Sequence, residues 1–206
     1  MKKVKVILAG GVLGLLAPLL VKLGNPPNMG VCIACFLRDI TGALGLHRTS
    51  TVQYLRPEIL GLVLGAFLSA AATREFRAMG GSSAFTRFTL AFLAMLGMLV
   101  FLGCPVRTVL RLAGGDLNAL VGLVGLVCGV AVGTWFLSRG FSLGRAVPQN
   151  SVSGYIFPAA VIGLLLLLIF SPPFIFFSQQ GPGSMHAPTA ISLGAGLLVG
   201  ILAQRS

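Results

Sequence analysis

The chain has 206 residues, of which 56% are hydrophobic and 9% charged, and its formal net charge is +11. A soluble domain carries about 25% charged residues, so this composition excludes a water-covered globular surface and indicates an all-α membrane protein in a lipid bilayer. The cations lie mostly between apolar runs, as in cytoplasmic loops, and without a nucleic-acid-binding motif they do not predict a nucleic-acid partner.

A helix that crosses a bilayer needs about 20 mostly apolar residues. The basic N-terminus and its apolar run resemble a signal peptide, but without a cleavage site before a soluble domain they predict an uncleaved spanning helix. Pro172 and Pro173 are expected to end or kink the fifth of the apolar stretches. Six stretches qualify or nearly qualify as spanning helices: residues 4–23, 58–72, 87–102, 117–137, 155–170 and 190–203.

Two further stretches, residues 29–46 and 104–114, are too short or too polar to span. Each contains cysteine and arginine and begins beside a glycine, Gly30 or Gly103, which predicts two short re-entrant half-helices. Non-helical backbone at membrane depth is tolerated only where protein or a water-filled cavity surrounds it. We therefore expect both half-helices to be buried at the centre of the bundle.

The distribution of cations supports the re-entrant geometry. If both short stretches enter and leave on one face, only Arg48 and Arg56 lie in loops on the opposite side of the membrane. This asymmetry follows the positive-inside rule with a cytoplasmic N-terminus. The nine cations on the cytoplasmic side are then Lys2, Lys3, Lys5, Arg74, Arg77, Arg87, Arg139, Arg145 and Arg205.

Cys32 and Cys35 form a C-x-x-C motif in the first short stretch. A zinc site would need two more ligands, and His47 and His186 lack metal-ligand spacing, so no metal or other cofactor is expected. Residues three apart share a helix face, so both thiols can point into one cavity near a helix N-terminus, which attracts anions. The alternative is a pair of buried, inert cysteines.

The second short stretch repeats this arrangement. Cys104 follows Gly103 and precedes Pro105, which suits a first helical turn, so its thiol is also expected at a half-helix N-terminus. Cys128 lies in a Gly- and Val-rich run and is predicted to be a small apolar core residue. Glu58 follows a proline, and we interpret it as a structural acid of a first helical turn rather than a proton relay.

Five ionisable residues lie in or beside the half-helices, and intramembrane charges usually pair or contact substrate. We predict structural ion pairs between Arg38 and Asp39 and between Arg111 and Asp116. Substrate contact remains open for Arg38 and Arg107, and both roles can hold together.

The order of elements suggests an inverted-repeat transporter, in which broken helices meet at the midplane. A spanning helix, a short Cys/Arg helix, two spanning helices, a second short helix and a spanning helix form a near-symmetric unit. We predict a first repeat over residues 1–145, and a linker helix with the first helix of an incomplete second repeat over 146–206. Small-xxx-small pairs, Gly61 with Gly65 and Gly129 with Gly133, predict close helix packing.

Long motifs in the chain resemble the YedE branch of the YeeE/YedE sulfur-transport family, which is associated with selenium transport. The motifs are GNPPNMGVCIACFLRDITGALGLH, RPEI with GAF, FLGCPVRTVLRLAGGDLNALVGL and SPPFIFFSQQGPGSMHAP. The resemblance implies an inner-membrane transporter of two inverted halves, with nine spanning helices and four short inward helices. It also implies that Cys104 and Cys32, or its neighbour Cys35, relay a thiosulfate-like anion through S–H···S contacts.

Family members continue into a second cysteine-bearing half, whereas this chain stops at Ser206. The resemblance therefore implies a split or truncated member that needs a second polypeptide or a homodimer. A cytoplasmic sulfur-carrier protein is a further candidate partner.

The sequence thus predicts a transporter, not an enzyme, for a small sulfur- or selenium-containing solute. The predicted substrate pathway comprises Cys32, Cys35, Cys104, Gly30, Gly103, Arg38 and Arg107. The first alternative is a membrane thiol–disulfide oxidoreductase that uses Cys32 and Cys35. The second is a subunit that has no activity of its own.

Overall fold

The computed structural model describes residues 2–27, 29–81, 83–142, 144 and 146–206. Arg145, one of the predicted cytoplasmic cations, lies outside the described residues. Two short strands, β1 (Met79–Gly80) and β2 (Val147–Pro148), pair antiparallel. The described residues form eight helices: α1 (Lys2–Lys22), α2 (Ile33–Ala43), α3 (Pro57–Ala72), α4 (Ala84–Val100), α5 (Pro105–Ala113), α6 (Asn118–Ser138), α7 (Ser151–Phe170) and α8 (Thr189–Arg205).

The architecture is that of an all-α membrane protein, as the composition predicted. Four stretches are long and apolar enough to cross a membrane: Val4–Lys22, Ala84–Ala113, Asn118–Ser138 and Ser151–Phe170. The second contains α4, α5 and the break between them. The six predicted apolar stretches coincide with α1, α3, α4, α6, α7 and α8, although α3 and α8 have only 16 and 17 residues.

The ends of several helices follow from local sequence. Pro57 and Pro105 occupy first-turn positions of α3 and α5, where a missing N–H costs no hydrogen bond. The helix α7 ends at Phe170, because Ser171 adopts a left-handed conformation with φ 43° immediately before two prolines. The prediction that Pro172 and Pro173 end or kink this helix is confirmed.

Glycines bring α3 and α8 into direct backbone contact. A Cβ atom on Gly61 or Gly65 would meet backbone atoms of Leu193 or Leu197 in α8. Gly196 and Gly200 face the backbone of α3 in the same way. The predicted close packing is confirmed for this pair of helices. Gly129 and Gly133 have no atom within 4 Å of a Cβ position, so the packing predicted for them is absent from the described residues.

The two short helices differ in burial. Most of α2 is buried, and its Phe36 has no exposed surface. In α5, only Thr108 is buried, together with Cys104 at its N-terminal boundary. The expectation of central burial is therefore confirmed for α2 and wrong for most of α5, which lies between two open clefts.

Candidate functional site

The N-termini of α2 and α5 meet at two cysteines. Cys32 is the N-cap residue of α2, and Cys104 is the N-cap residue of α5. Their sulfur atoms lie 3.8 Å apart, and both residues are buried as free thiols. Neither thiol caps its own helix through a hydrogen bond, so each side chain is free to face the other. The sequence predicted each thiol at a helix N-terminus but not their contact.

The two predicted glycines lie beside this contact, on opposite sides of α5. Gly30 packs so closely on the backbone of Ala17 in α1 that a Cβ atom would clash with it. It also lines an open cleft of about 350 Å³ between α1 and α5. Gly103 lines a second cleft, of about 390 Å³, between α4, α5 and α6. The thiol pair is therefore flanked by two largely apolar clefts.

The third cysteine has a different partner. Arg107 donates a hydrogen bond from its terminal nitrogen Nη1 to the sulfur of Cys35 at 3.1 Å. The C-x-x-C thiols therefore lie in one buried cluster. Within it, Cys32 at the helix boundary contacts Cys104, and Cys35 in the first turn of α2 accepts from Arg107. A contact between Cys32 and Cys104 was not distinguishable in sequence from one between Cys32 and Cys35.

The surroundings of the thiols are electropositive. Two helix N-termini converge there, and each carries partial positive charge on its free N–H groups. Arg107 adds a full charge, and its Nε atom is buried without a hydrogen-bond partner among the described residues. No described carboxylate lies within salt-bridge distance of this guanidinium. The arrangement therefore suits an anionic or strongly polarisable ligand.

Asp39 lies at the centre of an ion-pair cluster on α2. Arg38 donates to its Oδ1 at 2.8 Å, which confirms the predicted pair, and Arg56 donates to its Oδ2 at 2.8 Å. Arg56 is fully buried, stacks on Phe36 and Tyr54, and was missed as a structural residue by the sequence interpretation. The sequence feature that could have indicated its structural role is its position in RPEI, next to a proline and close to an acid.

The second predicted ion pair is confirmed at the far end of α5. Arg111 donates to Asp116 at 2.8 Å through Nε and also binds the carbonyl of Phe101. The hydrogen bond from Arg111 lowers the pKa of the Asp116 carboxyl, and the backbone N–H of Asn118 contributes in the same direction. Both side chains are partly exposed, so this pair ties the exit of α5 to the start of α6.

A carboxyl group joins three separate parts of the chain. Glu58 is only 2% exposed, and its Oε1 accepts hydrogen bonds from Asn25 at 2.7 Å and Ser192 at 2.9 Å. Arg56, not Glu58, occupies the N-cap position of α3, and no side-chain cap bond forms there. Glu58 lies in the first turn of α3, as the sequence predicted. Its contacts with distant residues of the chain were not predicted.

Residues 171–188, which we name the cover segment, lie over α2 and the loop that follows it. Phe176 donates its backbone N–H to Ala43 at the end of α2, and Ser178 donates to Gln53. His186 stacks on Tyr54 with ring centres 4.4 Å apart. Arg56 binds two carbonyls of this segment, those of Pro182 and Met185.

Cys128 is exposed on α6, so its prediction as a core residue is wrong. The helix α6 is apolar on every side and buries only Ala119 among its residues, as expected where the surroundings are lipid. Within the described ranges, no three His, Cys, Asp or Glu side chains are grouped as metal ligands.

Together the fold and the site define a class: a helical membrane protein with a buried thiol cluster at two facing helix N-termini. Comparison of the chain with protein-family models, with curated proteins and with solved structures finds no match.

Proposed function

We propose that this protein is a transporter for a small sulfur- or selenium-containing solute in the cell's inner membrane. The observation that carries the proposal is the 3.8 Å contact between the sulfurs of Cys32 and Cys104, at two facing helix N-termini. Two free, buried thiols in contact form a soft, weakly hydrogen-bonding surface. A sulfur or selenium atom of the solute can contact one of these thiols in the same way that the other thiol does.

The charge around the thiols favours an anionic solute. The partial charges of the α2 and α5 N-termini act together with Arg107, a half-buried residue whose Nε donor is buried and unused among the described residues. Beside thiols that are buried from solvent, such donors interact more strongly with an anion than they would in water. Passage then needs no covalent step, because the solute moves between weak contacts with Cys104, Cys32 and Cys35.

The helix lengths support a re-entrant role for α2 and α5 in this proposal. At 1.5 Å per residue, their 11 and 9 residues are far shorter than a hydrocarbon core of about 30 Å. We assign spans to α1, α3, α4, α6, α7 and α8, and a cytoplasmic N-terminus. This order resembles one half of a YeeE/YedE-like inverted repeat.

The decisive experiment is uptake of labelled thiosulfate, and separately of labelled selenite, by cells that express the chain. Cys104→Ala is expected to reduce uptake to the background of cells without the protein, because it removes one side of the thiol contact. Cys128→Ala is the matched control, since this cysteine is exposed on α6, and we expect uptake to be unchanged. Equal uptake by both variants, at equal amounts in the membrane, would contradict the proposal.

For the rival function, thiol–disulfide exchange, the geometry adds a second pair of cysteines that could form a disulfide. Cys32 contacts Cys104, so an oxidoreductase has the Cys32–Cys104 pair as a candidate disulfide in addition to the Cys32–Cys35 pair of the C-x-x-C motif. A reversible disulfide that exchanges with an external dithiol, in a protein that takes up neither solute, would favour the enzyme.

A further inference from the structure

Glu58 is a buried acid that the proposed pathway does not use. One of its oxygens is fully occupied, because Oε1 accepts from both Asn25 and Ser192. The other oxygen, Oε2, is buried and has no hydrogen-bond partner among the described residues. Buried carboxyl oxygens are normally hydrogen-bonded, so Oε2 is an acceptor that is free to bind a proton.

The nearby charged groups do not neutralise Glu58. Arg56 is two residues away, but its guanidinium is committed to Asp39 and to the carbonyls of the cover segment. The phenol of Tyr54 lies near both Glu58 and Arg56, and the ring of His186 stacks on it. The remaining charged groups and phenols on the helices packed against α3 are the Arg38–Asp39 ion pair of α2, Tyr155 of α7 and Arg205 in the last turn of α8. Asn25 and Ser192, which contact the carboxyl directly, are neutral. No cationic side chain of the described residues lies within salt-bridge distance of Glu58.

We propose that the Glu58 carboxyl is the proton-binding site that couples passage of the solute to movement of a proton. The inference rests on the proposed transport function and adds its driving ion. An ionised carboxylate buried without a cation is costly, and a proton on Oε2 removes the charge while Oε1 keeps both donors. Intramembrane acids commonly serve as proton relays in transporters.

The contacts of Asn25 connect this acid to the thiol site. The Asn25 amide nitrogen donates both to Glu58 and to the carbonyl of Gly30, two residues before Cys32. The Asn25 amide oxygen accepts from the backbone N–H of Ala187 in the cover segment. A carboxylate accepts a stronger hydrogen bond than a neutral acid. Loss or gain of the proton therefore changes the restraint on both the turn before Cys32 and the cover segment.

The test compares solute exchange with proton-driven accumulation in liposomes that contain the full chain. Exchange of labelled for unlabelled thiosulfate or selenite needs no driving ion, whereas accumulation against a gradient does. With the membrane potential clamped at zero and a gradient of about one pH unit, one coupled proton supports up to about tenfold accumulation. We expect Glu58→Gln to retain exchange, because the amide oxygen still accepts from Asn25 and Ser192, and to lose accumulation completely.

The matched control is Glu75→Gln, because Glu75 is an exposed acid just beyond the C-terminus of α3; we expect it to exchange and accumulate like the wild type. Proton entry into wild-type liposomes, measured with a trapped pH dye during inward solute flux, tests the coupling without any variant. Absence of that proton flux, accumulation driven by Na⁺ alone, or proton-driven accumulation by Glu58→Gln would each overturn the inference. Absence of exchange by wild type would instead remove the transport function on which it rests.

Discussion

Replacement of Arg56 by methionine removes a fully buried charge while it keeps an unbranched, apolar stem. The guanidinium of Arg56 has no exposed surface and binds Asp39 at 2.8 Å and the carbonyl of Met185 at 2.9 Å. It also binds the carbonyl of Pro182 at 2.6 Å. The variant therefore leaves one carboxylate oxygen and two carbonyls without this donor.

The expected loss in the free energy of unfolding is about 3–5 kcal/mol, the usual cost of removing one partner of a buried ion pair. The three acceptors that lose Arg56 as a donor give a loss of similar size, because each unsatisfied buried group costs about 1–3 kcal/mol. Asp39 keeps its hydrogen bonds from Arg38, which reduces the loss toward the lower end. The variant also loses the stacking of the guanidinium on Phe36 and Tyr54, which increases the loss of stability.

The measurement is reversible unfolding in mixed detergent micelles, followed by helical circular dichroism. Arg111→Met is the matched control, because this arginine also pairs with an aspartate at hydrogen-bond distance but the pair is partly exposed. Surface pairs contribute little, so the control is expected to lose much less stability. A double-mutant cycle with Asp39→Asn should show strong coupling to Arg56. Equal losses for the two arginine variants would refute the argument that burial determines the contribution.

Two further predictions concern the Arg111–Asp116 ion pair and the glycines of α3 and α6. Arg111 lowers the pKa of Asp116 in the folded state. The ionised carboxylate therefore stabilises the fold at pH values above the pKa of an unfolded aspartate, about 3.9, and this stabilisation is lost as the pH falls through the folded pKa. The difference in thermal stability between wild type and Asp116→Asn should therefore shrink from about pH 6 to about pH 3; a constant difference would contradict this linkage. Gly65→Ala places a methyl group against the backbone of Leu197 and should lower the free energy of unfolding by about 1–3 kcal/mol. Gly129→Ala has open space around it and should leave the free energy of unfolding unchanged or raise it by up to about 1 kcal/mol. A similar result for both glycines would argue against the α3–α8 contact.

The cysteines show how far a linear sequence leads toward the candidate site. Gly, Cys and Pro at positions 103–105 predict a helix start, because Pro suits the first turn, and α5 begins there. The sequence also places Cys32 near the start of a helix. Whether Cys32 reaches Cys104 depends on how α2 and α5 are oriented in space, since the separation of 72 positions along the chain sets no angle between the helices.

Charged residues show the same division. Arg38 with Asp39 and Arg111 with Asp116 are close in sequence, so local geometry is sufficient to pair them, and both pairs are present. Arg56 reaches Asp39 across 17 positions. Its burial depends on the cover segment, which supplies carbonyls from more than 120 positions away. No periodicity or spacing encodes that contact.

The sequence by itself determined the apolar stretches and their breaks, because helix formation in lipid depends on local hydrophobicity and on backbone hydrogen bonds within each segment. The close packing of α3 on α8 through Gly61, Gly65, Gly196 and Gly200 was decided by tertiary structure. The equivalent spacing of Gly129 and Gly133 on α6 leads to no such contact. A small residue permits two backbones to approach, but the partner that occupies the space is set by the whole arrangement of helices.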